Sequence, residues 1–246
     1  MDKIKVGIVN YLNTLPLIYG LERDSVRDRI QLEGDYPAKV AQRLIEGDID
    51  MGLVPVAIIP YLKEYHIVGN YCIGATQAVA SVCIFSECPI EEIDTILLDY
   101  QSRTSVALAQ VLLKHYWKLN PEKKAAEKDF RNQIKGKTAA VVIGDRALEQ
   151  NHISPYVYDL AEAWQNLTGL PFTFAAWISN KKLPESFIQE FDAANALGLQ
   201  HIDEIVASHP YPHYNLKEYY TKNISYLLDE PKRKAIELFL EYLKNL

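Results

Sequence analysis

The apolar residues of this chain switch repeatedly between a strand period and a helix period. Ile4-Lys5-Val6-Gly7-Ile8-Val9 is a short β-branched run and predicts a buried strand. Leu17, Ile18 and Leu21 then share one helical face, and Pro16 suits a first helical turn, where its missing N–H is no loss. Val40, Ala41, Leu44 and Ile45 form a second helical stripe, with Gly47 as its stop. Asp48 to Pro55 predicts a strand, and Val56 to Tyr65 a short helix broken by Pro60. This alternation of strand and helix predicts an α/β fold with a mostly parallel sheet.

The rhythm restarts at Val79 to Phe85, a strand without clean alternation and so covered on both faces. Thr95 to Asp99 predicts another strand, Val106 to Lys118 a strong helix, and Ala139 to Asp145 a strand leading into a helix near Arg146. Asn120 to Lys137 is charged and aperiodic, which predicts a loop with some helix. Tyr158 to Leu167 predicts a helix and Phe172 to Ile178 a strand. From Leu183 the pattern is nearly all helical, interrupted by His209-Pro210-Tyr211-Pro212-His213. Asn215 is placed to cap one late helix and Pro231 to open the last. The strands near 79–85 and 172–178 mark where the rhythm restarts and ends. They predict two lobes around a ligand cleft, one of residues 1–85 and 179–246, the other an insertion of residues 86–178. A single doubly wound domain is the alternative.

Composition narrows the function. The 246 residues are 48% hydrophobic and 24% charged, ordinary for a globular protein with a sizeable core. A net charge of -6 gives no general attraction for nucleic acid or anionic lipid, so any anion must be held by local donors. No apolar run approaches the roughly 18 residues that would span a bilayer. Met1-Asp2-Lys3 lacks the charged-then-apolar pattern of an export signal, which makes a cytoplasmic location the expectation. Cys72, Cys83 and Cys88 are odd in number and read as reduced thiols. No zinc pattern occurs; His209 and His213 flank prolines in a stiff turn, and no metal is expected. There is no G-x-G-x-x-G, no Walker sequence, no nucleophile elbow and no Ser-His-Asp series, so no cofactor is implied.

Three strand-to-helix turns carry unusual polarity. Asn10, Tyr11, Asn13 and Thr14 follow the first strand, where open α/β sheets bind ligands. Asn13 and Thr14 read either as a helix cap or as site residues. Ser102, Thr104 and Ser105 stand at the start of a helix whose free N–H groups and dipole favour an anion, and Arg103 adds a guanidinium suited to a carboxylate. Here too the alternative is a capping cluster with a solvent-facing Arg103. Asp145, in Gly144-Asp145-Arg146, reads as a base, a substrate orienter or the cap of its own helix. Two such turns facing each other would suit a small dianion.

With these residues in hand, the chain resembles the chorismate dehydratases of menaquinone biosynthesis by the futalosine route. The resemblance rests on Tyr11-Leu12-Asn13-Thr14-Leu15-Pro16-Leu17-Ile18-Tyr19-Gly20-Leu21, Ser102-Arg103-Thr104-Ser105-Val106 and Ile143-Gly144-Asp145-Arg146-Ala147-Leu148. It extends through Trp164 and Thr168-Gly169-Leu170-Pro171-Phe172-Thr173-Phe174-Ala175-Ala176-Trp177. It implies a two-lobe periplasmic-binding-protein type II fold and a cytoplasmic enzyme that removes water from chorismate, a dicarboxylate, to give 3-(1-carboxyvinyloxy)benzoate. The sister dihydroxynaphthoate synthase shares the fold but opens on a Ser-Pro-Cys-Pro-Asn-Asp type of segment, which this chain lacks. By the resemblance Asn13 matches the active-site asparagine, and Ser81, Ser102, Arg103, Thr104 and Ser105 would grip carboxylates. The matched motifs offer no histidine and only Asp145 as a carboxylate; the substrate's own enolpyruvyl carboxylate is the expected base, with Asp145 the alternative. A non-catalytic small-anion receptor and a sensor domain of the same fold are the rival readings. Nothing in the sequence fixes an oligomeric state.

Overall fold

The computed structural model describes residues 3–246; Met1 and Asp2, which enter the expectation about export, lie outside the described residues. Two sheets organise the chain. The larger holds β1 (Ile4–Val9), β2 (Ile30–Asp35) and β3 (Met51–Pro55) as parallel neighbours in the order β2-β1-β3. It continues through the antiparallel β10 (Phe172–Ser179) to β4 (His66–Ala75) and β11 (Ser225–Leu227). The smaller holds β7 (Glu122–Ala125), β6 (Thr95–Leu98) and β8 (Thr138–Ile143) as its parallel part. The antiparallel β5 (Val82–Ser86) then leads to β9 (Tyr156–Asp159). Each lobe therefore repeats one plan. Three parallel strands are ordered second-first-third, and the strand that has just crossed between lobes adds to them in reverse.

Sheet membership corrects the expected lobe boundaries. Val82–Ser86 pairs within the smaller sheet and Phe172–Ser179 within the larger, so each change of sheet precedes the expected point by several residues. The physical reason is that both apolar runs begin the new lobe instead of ending the old one. The sequence pattern cannot tell an entering strand from a leaving one. Both faces of the smaller sheet are covered. Ile84, Val141 and Ile143 join the main core, while Cys83, Phe85, Ala140 and Val142 join Phe130 and Ile134 in a second cluster. That explains the missing alternation in β5.

Five strands had no counterpart in the pattern, one of them β9, whose last two residues fall in the helix expected from Tyr158. β7 is wholly exposed and reads Glu-Lys-Lys-Ala, a charged edge that discourages further pairing. β4 loses its alternation at Asn70, whose N–H goes to the Asp192 carboxylate at 2.9 Å instead of the ladder. β2 is a half-exposed edge and β11 only three residues long.

Helices α1 (Leu15–Arg23) and α2 (Pro37–Glu46) follow the first two strands of the larger sheet, and Gly47 closes α2 in a left-handed conformation. α3 (Thr104–Leu112) ends in a π-helical turn, Leu113–Trp117. Next come α4 (Asp145–Gln150), α5 (Leu160–Thr168), α6 (Glu185–Gln200) and α7 (Ile202–Ser208). The Asn215 side chain accepts from Glu218 N at 3.0 Å and so caps α8 (Leu216–Glu218), which runs into a π-helical turn, Tyr219–Asn223. Asp229 caps α9 (Glu230–Leu243), with Pro231 in its first turn. Among the described residues no helix is long and apolar enough to cross a membrane.

The aromatic segment Trp164 to Trp177 is largely core. Trp164 lies 5.2 Å from Phe172, 6.1 Å from Phe239 and 5.8 Å from Tyr242 between ring centroids, and its indole N–H donates to Pro171 O at 3.1 Å. This cluster packs α5, β10 and α9 together where the chain returns between lobes. On the far side of the larger sheet, α1 meets α6 at backbone contact. A Cβ at Gly198 would stand 1.6 Å from Pro16 O, and one at Gly20 would stand 1.7 Å from Ala194 O. That crossing fixes α1 and hence the turn before it. Gly198→Ala must separate the two helices, at a cost of about 3 kcal/mol and a fall in Tm of roughly 6–12 °C. Thermal unfolding that leaves Tm unchanged would show the contact to be soft.

Candidate active site

A cavity lies between the lobes, with about 540 Å³ of empty space, part of it open to solvent. Its apolar wall includes Val9, Leu53, Ile73, Val82, Ile143 and Phe174. Its polar groups come from three places in the chain. Tyr11, Asn13 and Thr14 follow β1, Ser81 ends the crossing into the smaller sheet, and Ser102, Thr104 and Ser105 open α3. Among the described residues that line it there is no lysine, arginine, histidine or carboxylate.

The hydroxyls are committed in a particular sense. Thr104 Oγ1 accepts from Ala57 N at 3.1 Å, across the lobes, and Ser102 Oγ accepts from Ser105 N at 3.0 Å. A backbone N–H can only donate, so each hydroxyl keeps its own proton free for a further acceptor. Ser81 Oγ likewise accepts from the Tyr219 hydroxyl at 2.7 Å. Ser81 is held firmly because its neighbours are. Ala80 adopts the left-handed φ of 62°, its N–H donates to Asp159 Oδ2 at 2.7 Å, and its carbonyl accepts from Asn151 Nδ2 at 2.9 Å. Asn13 Oδ1 accepts from Thr14 Oγ1 at 3.1 Å, its side chain also reaches Tyr219, and its carbonyl accepts from the Tyr226 hydroxyl at 2.9 Å. With that oxygen engaged, the Asn13 amide presents donors. The cavity is thus rich in neutral donors and free of cations.

Three expected residues stand elsewhere. Asn10 is exposed beside Gly34, because the chain turns inward only after it. Arg103 points away from the cavity and donates to Gln42 Oε1 at 2.9 Å. The helical start that brings Ser102 and Thr104 inward sends the side chain between them outward. Asp145 does not line the cavity and makes no cap bond to its own helix. Its carboxylate accepts from Leu12 N at 3.1 Å, in the opposite lobe. Burial pushes its pKa up to about 6.

Sequence reasoning missed the groups behind the lining. Asp99, fully buried at the end of β6, takes both oxygens to Arg146 Nη2 at 2.9 and 2.8 Å and accepts from Ile143 N at 3.2 Å. Burial raises its pKa, opposed by the Arg146 charge. Gln101 Oε1 accepts from both Arg146 and the Tyr11 hydroxyl. The Tyr11 ring rests on Gly144, whose φ of 64° and ψ of -146° suit only glycine, and where a Cβ would stand 3.2 Å from three ring atoms. A Gly144-Asp145-Arg146 turn after a strand was the one available signal. Tyr219 and Tyr226 had none.

The sequence profile of a family described as menaquinone biosynthesis matches residues 4–245. The chain belongs to that family. Among curated relatives, a chorismate dehydratase of Thermus thermophilus is 27% identical over 97% of this chain and 94% of its own length. Another, from Campylobacter jejuni, is 28% identical over 75% and 72%. A solved Archaeoglobus fulgidus protein superposes with a TM-score of 0.80 at 14% identity, over 99% of this chain and 97% of its own. A Candida albicans gene product described as having the generic periplasmic-binding-protein fold gives 0.64 at 14%, over 100% and 91%. The menaquinone-biosynthesis protein described here has that two-lobe fold.

The raised Asp145 pKa has a definite stability signature. The folded protein keeps on Asp145 a proton that the unfolded chain has already released, between its ordinary value of 3.8 and about 6. Stability from this group therefore falls as pH rises through that window and is level above it. Asp145→Asn keeps an oxygen for Leu12 N and removes the buried charge. The Tm of the variant relative to wild type should climb from pH 4 to about pH 6.5 and then stay flat. A difference independent of pH would contradict the assignment.

Proposed function

We propose that the protein is a chorismate dehydratase, a carbon–oxygen lyase that converts chorismate to 3-(1-carboxyvinyloxy)benzoate and water. The observation that carries this reading is the cation-free, donor-rich cavity between the lobes, in a chain similar to chorismate dehydratases over most of its length. The substrate is a small dianion. One carboxylate fits the Ser81 and Asn13 donors, and the other fits the Ser102, Thr104 and Ser105 group beside the first turn of α3.

The chemistry follows from the substrate. The C3 proton is vinylogous to the ring carboxylate, so its removal sends negative charge onto that carboxylate. Neutral donors already aimed there stabilise the charge as it develops. The electrons then re-form the ring π system as the C4 hydroxyl leaves with its bonding pair, and aromaticity drives the step. One proton and one hydroxide depart as water, which balances the reaction. The enolpyruvyl carboxylate serves as the base. A carboxylate held in an uncharged, desolvated cavity becomes more basic, as burial does to Asp145. The protein supplies orientation, worth several powers of ten when reacting atoms are held in contact. Asn13 presents its amide donors to the substrate or to the departing hydroxyl.

Asp145 offers a second reading for the base, because its pKa of about 6 suits proton abstraction near neutrality. Its carboxylate is turned to Leu12 N and lies outside the lining, which favours the first reading. The reading brings a cytoplasmic location with it, and the free thiols Cys72, Cys83 and Cys88 fit a reducing compartment.

Purified protein mixed with chorismate should abolish the diene absorbance and yield the aromatic product by chromatography. Asn13→Ala should lower kcat/KM by about a hundredfold or more, the usual effect of one lost transition-state donor, with little change in Tm. Asp145→Asn should retain measurable turnover. Binding without turnover by wild type would favour a receptor, and complete loss of turnover in Asp145→Asn with binding intact would transfer the base to Asp145.

A further inference from the structure

Gln101 lies outside the cavity lining, yet all its polar groups are occupied. Its N–H donates to Asp99 Oδ1 at 3.0 Å and its carbonyl accepts from Ala38 N at 3.2 Å. Its side-chain NH2 donates to the Tyr100 hydroxyl at 2.9 Å. Its side-chain oxygen accepts from Arg146 Nη2 at 2.9 Å and from the Tyr11 hydroxyl. The bonds from Ala38 and Tyr11 run between lobes.

We propose that Gln101 is a positioning residue for the dehydration, holding the Tyr11–Asn13 turn of the larger lobe in place across the cleft. The role rests on the function proposed above, but the geometry behind it does not. An amide side chain can present either end, and Arg146 decides which. A guanidinium has donors only, so it selects the amide oxygen, and the same oxygen then faces Tyr11. Arg146 is itself fixed by both oxygens of the buried Asp99 carboxylate. This buried ion pair has no part in the proton transfer. Its output is an oriented acceptor at the lobe boundary.

Tyr11 receives that acceptor with its ring seated on Gly144. The next residue is also docked on the smaller lobe, through Leu12 N to Asp145. Asn13 follows, and the hydrogen-bond partners of its side chain, Thr14 and Tyr219, both belong to the larger lobe. The turn that carries it is docked on the other lobe, which holds Ser102 and Thr104, through residues 11 and 12. Without the Gln101 acceptor the Tyr11 hydroxyl proton loses its acceptor, and the turn keeps the Leu12 bond, the ring contact and the reach of Arg146 to the Tyr11 oxygen.

Two variants test this. Gln101→Leu keeps the shape and removes both acceptor and donor. Gln101→Glu keeps an oxygen toward Arg146 and Tyr11, and the Tyr100 hydroxyl can reverse to donate to the second oxygen. In the absence of substrate, amide hydrogen exchange in a peptide covering residues 10–15 should run about tenfold faster in Gln101→Leu, the effect of one buried hydrogen bond lost. Peptides from β3 and β10 should be unchanged, and Gln101→Glu should stay close to wild type. With chorismate, Gln101→Leu should lose about ten- to a hundredfold in kcat/KM and Gln101→Glu should recover most of it. Unchanged exchange in residues 10–15, equal acceleration everywhere, or a Gln101→Glu variant as impaired as Gln101→Leu would overturn the proposal. If wild type does not turn over chorismate, the functional reading fails while the exchange measurement still decides the role of Gln101.

Discussion

The bond from Leu12 N to the Asp145 carboxylate is the constraint around which the site is arranged. It joins the turn after the first strand of one lobe to the turn after the third strand of the other. Both turns sit at the carboxyl ends of parallel strands, where this architecture leaves backbone groups free. The bond keeps a carboxylate ionised or nearly so in a place where burial opposes charge, and a charge-assisted bond of this kind is worth about 1.5–3 kcal/mol. Either side of it, Tyr11 rests on Gly144 and Asn13 is held by Tyr219 and Tyr226. The Gly20–Gly198 crossing fixes the helix that leaves the turn. The donors that face the cavity are therefore placed largely by groups behind its lining.

The electrostatics of the site follow from the same division. Positive charge is close by, in Arg146, but it is spent on Asp99 and does not reach the cavity. Arg103 is directed to Gln42. A dianion held here meets hydroxyls and an amide, not ion pairs. A cation would hold a carboxylate more tightly and would also make it a poorer base. Neutral donors lower its basicity less than a cation would, which suits the proposed substrate-derived base.

The sequence showed much of this architecture and less of the site. Periodicity located β1, β3, β5, β6, β8 and β10 because each is largely buried and apolar. β7 was invisible for the opposite reason, being four exposed residues whose one apolar member is an alanine. The polar turn after β1 and the hydroxyls before α3 were legible because helix starts have a known chemistry. Arg103 was misjudged by the same reasoning, since composition at a helix start does not say which side chain faces inward. Ser81 was reachable only through the family resemblance, as one serine in an apolar run carries no signal of its own. Gln101, Tyr219 and Tyr226 act through contacts 90, 138 and 213 residues away in sequence, which no local pattern encodes.

Dehydration in this cavity, as proposed, depends most on the substrate bringing its own base into an uncharged site. The measurement that bears on it most directly is single-turnover dehydration of a chorismate analogue in which the enolpyruvyl carboxylate is replaced by a carboxamide, at saturating protein. The account predicts that the analogue binds in the cavity and is not dehydrated while chorismate is. Aromatic product from the analogue at a rate comparable to that from chorismate would contradict it.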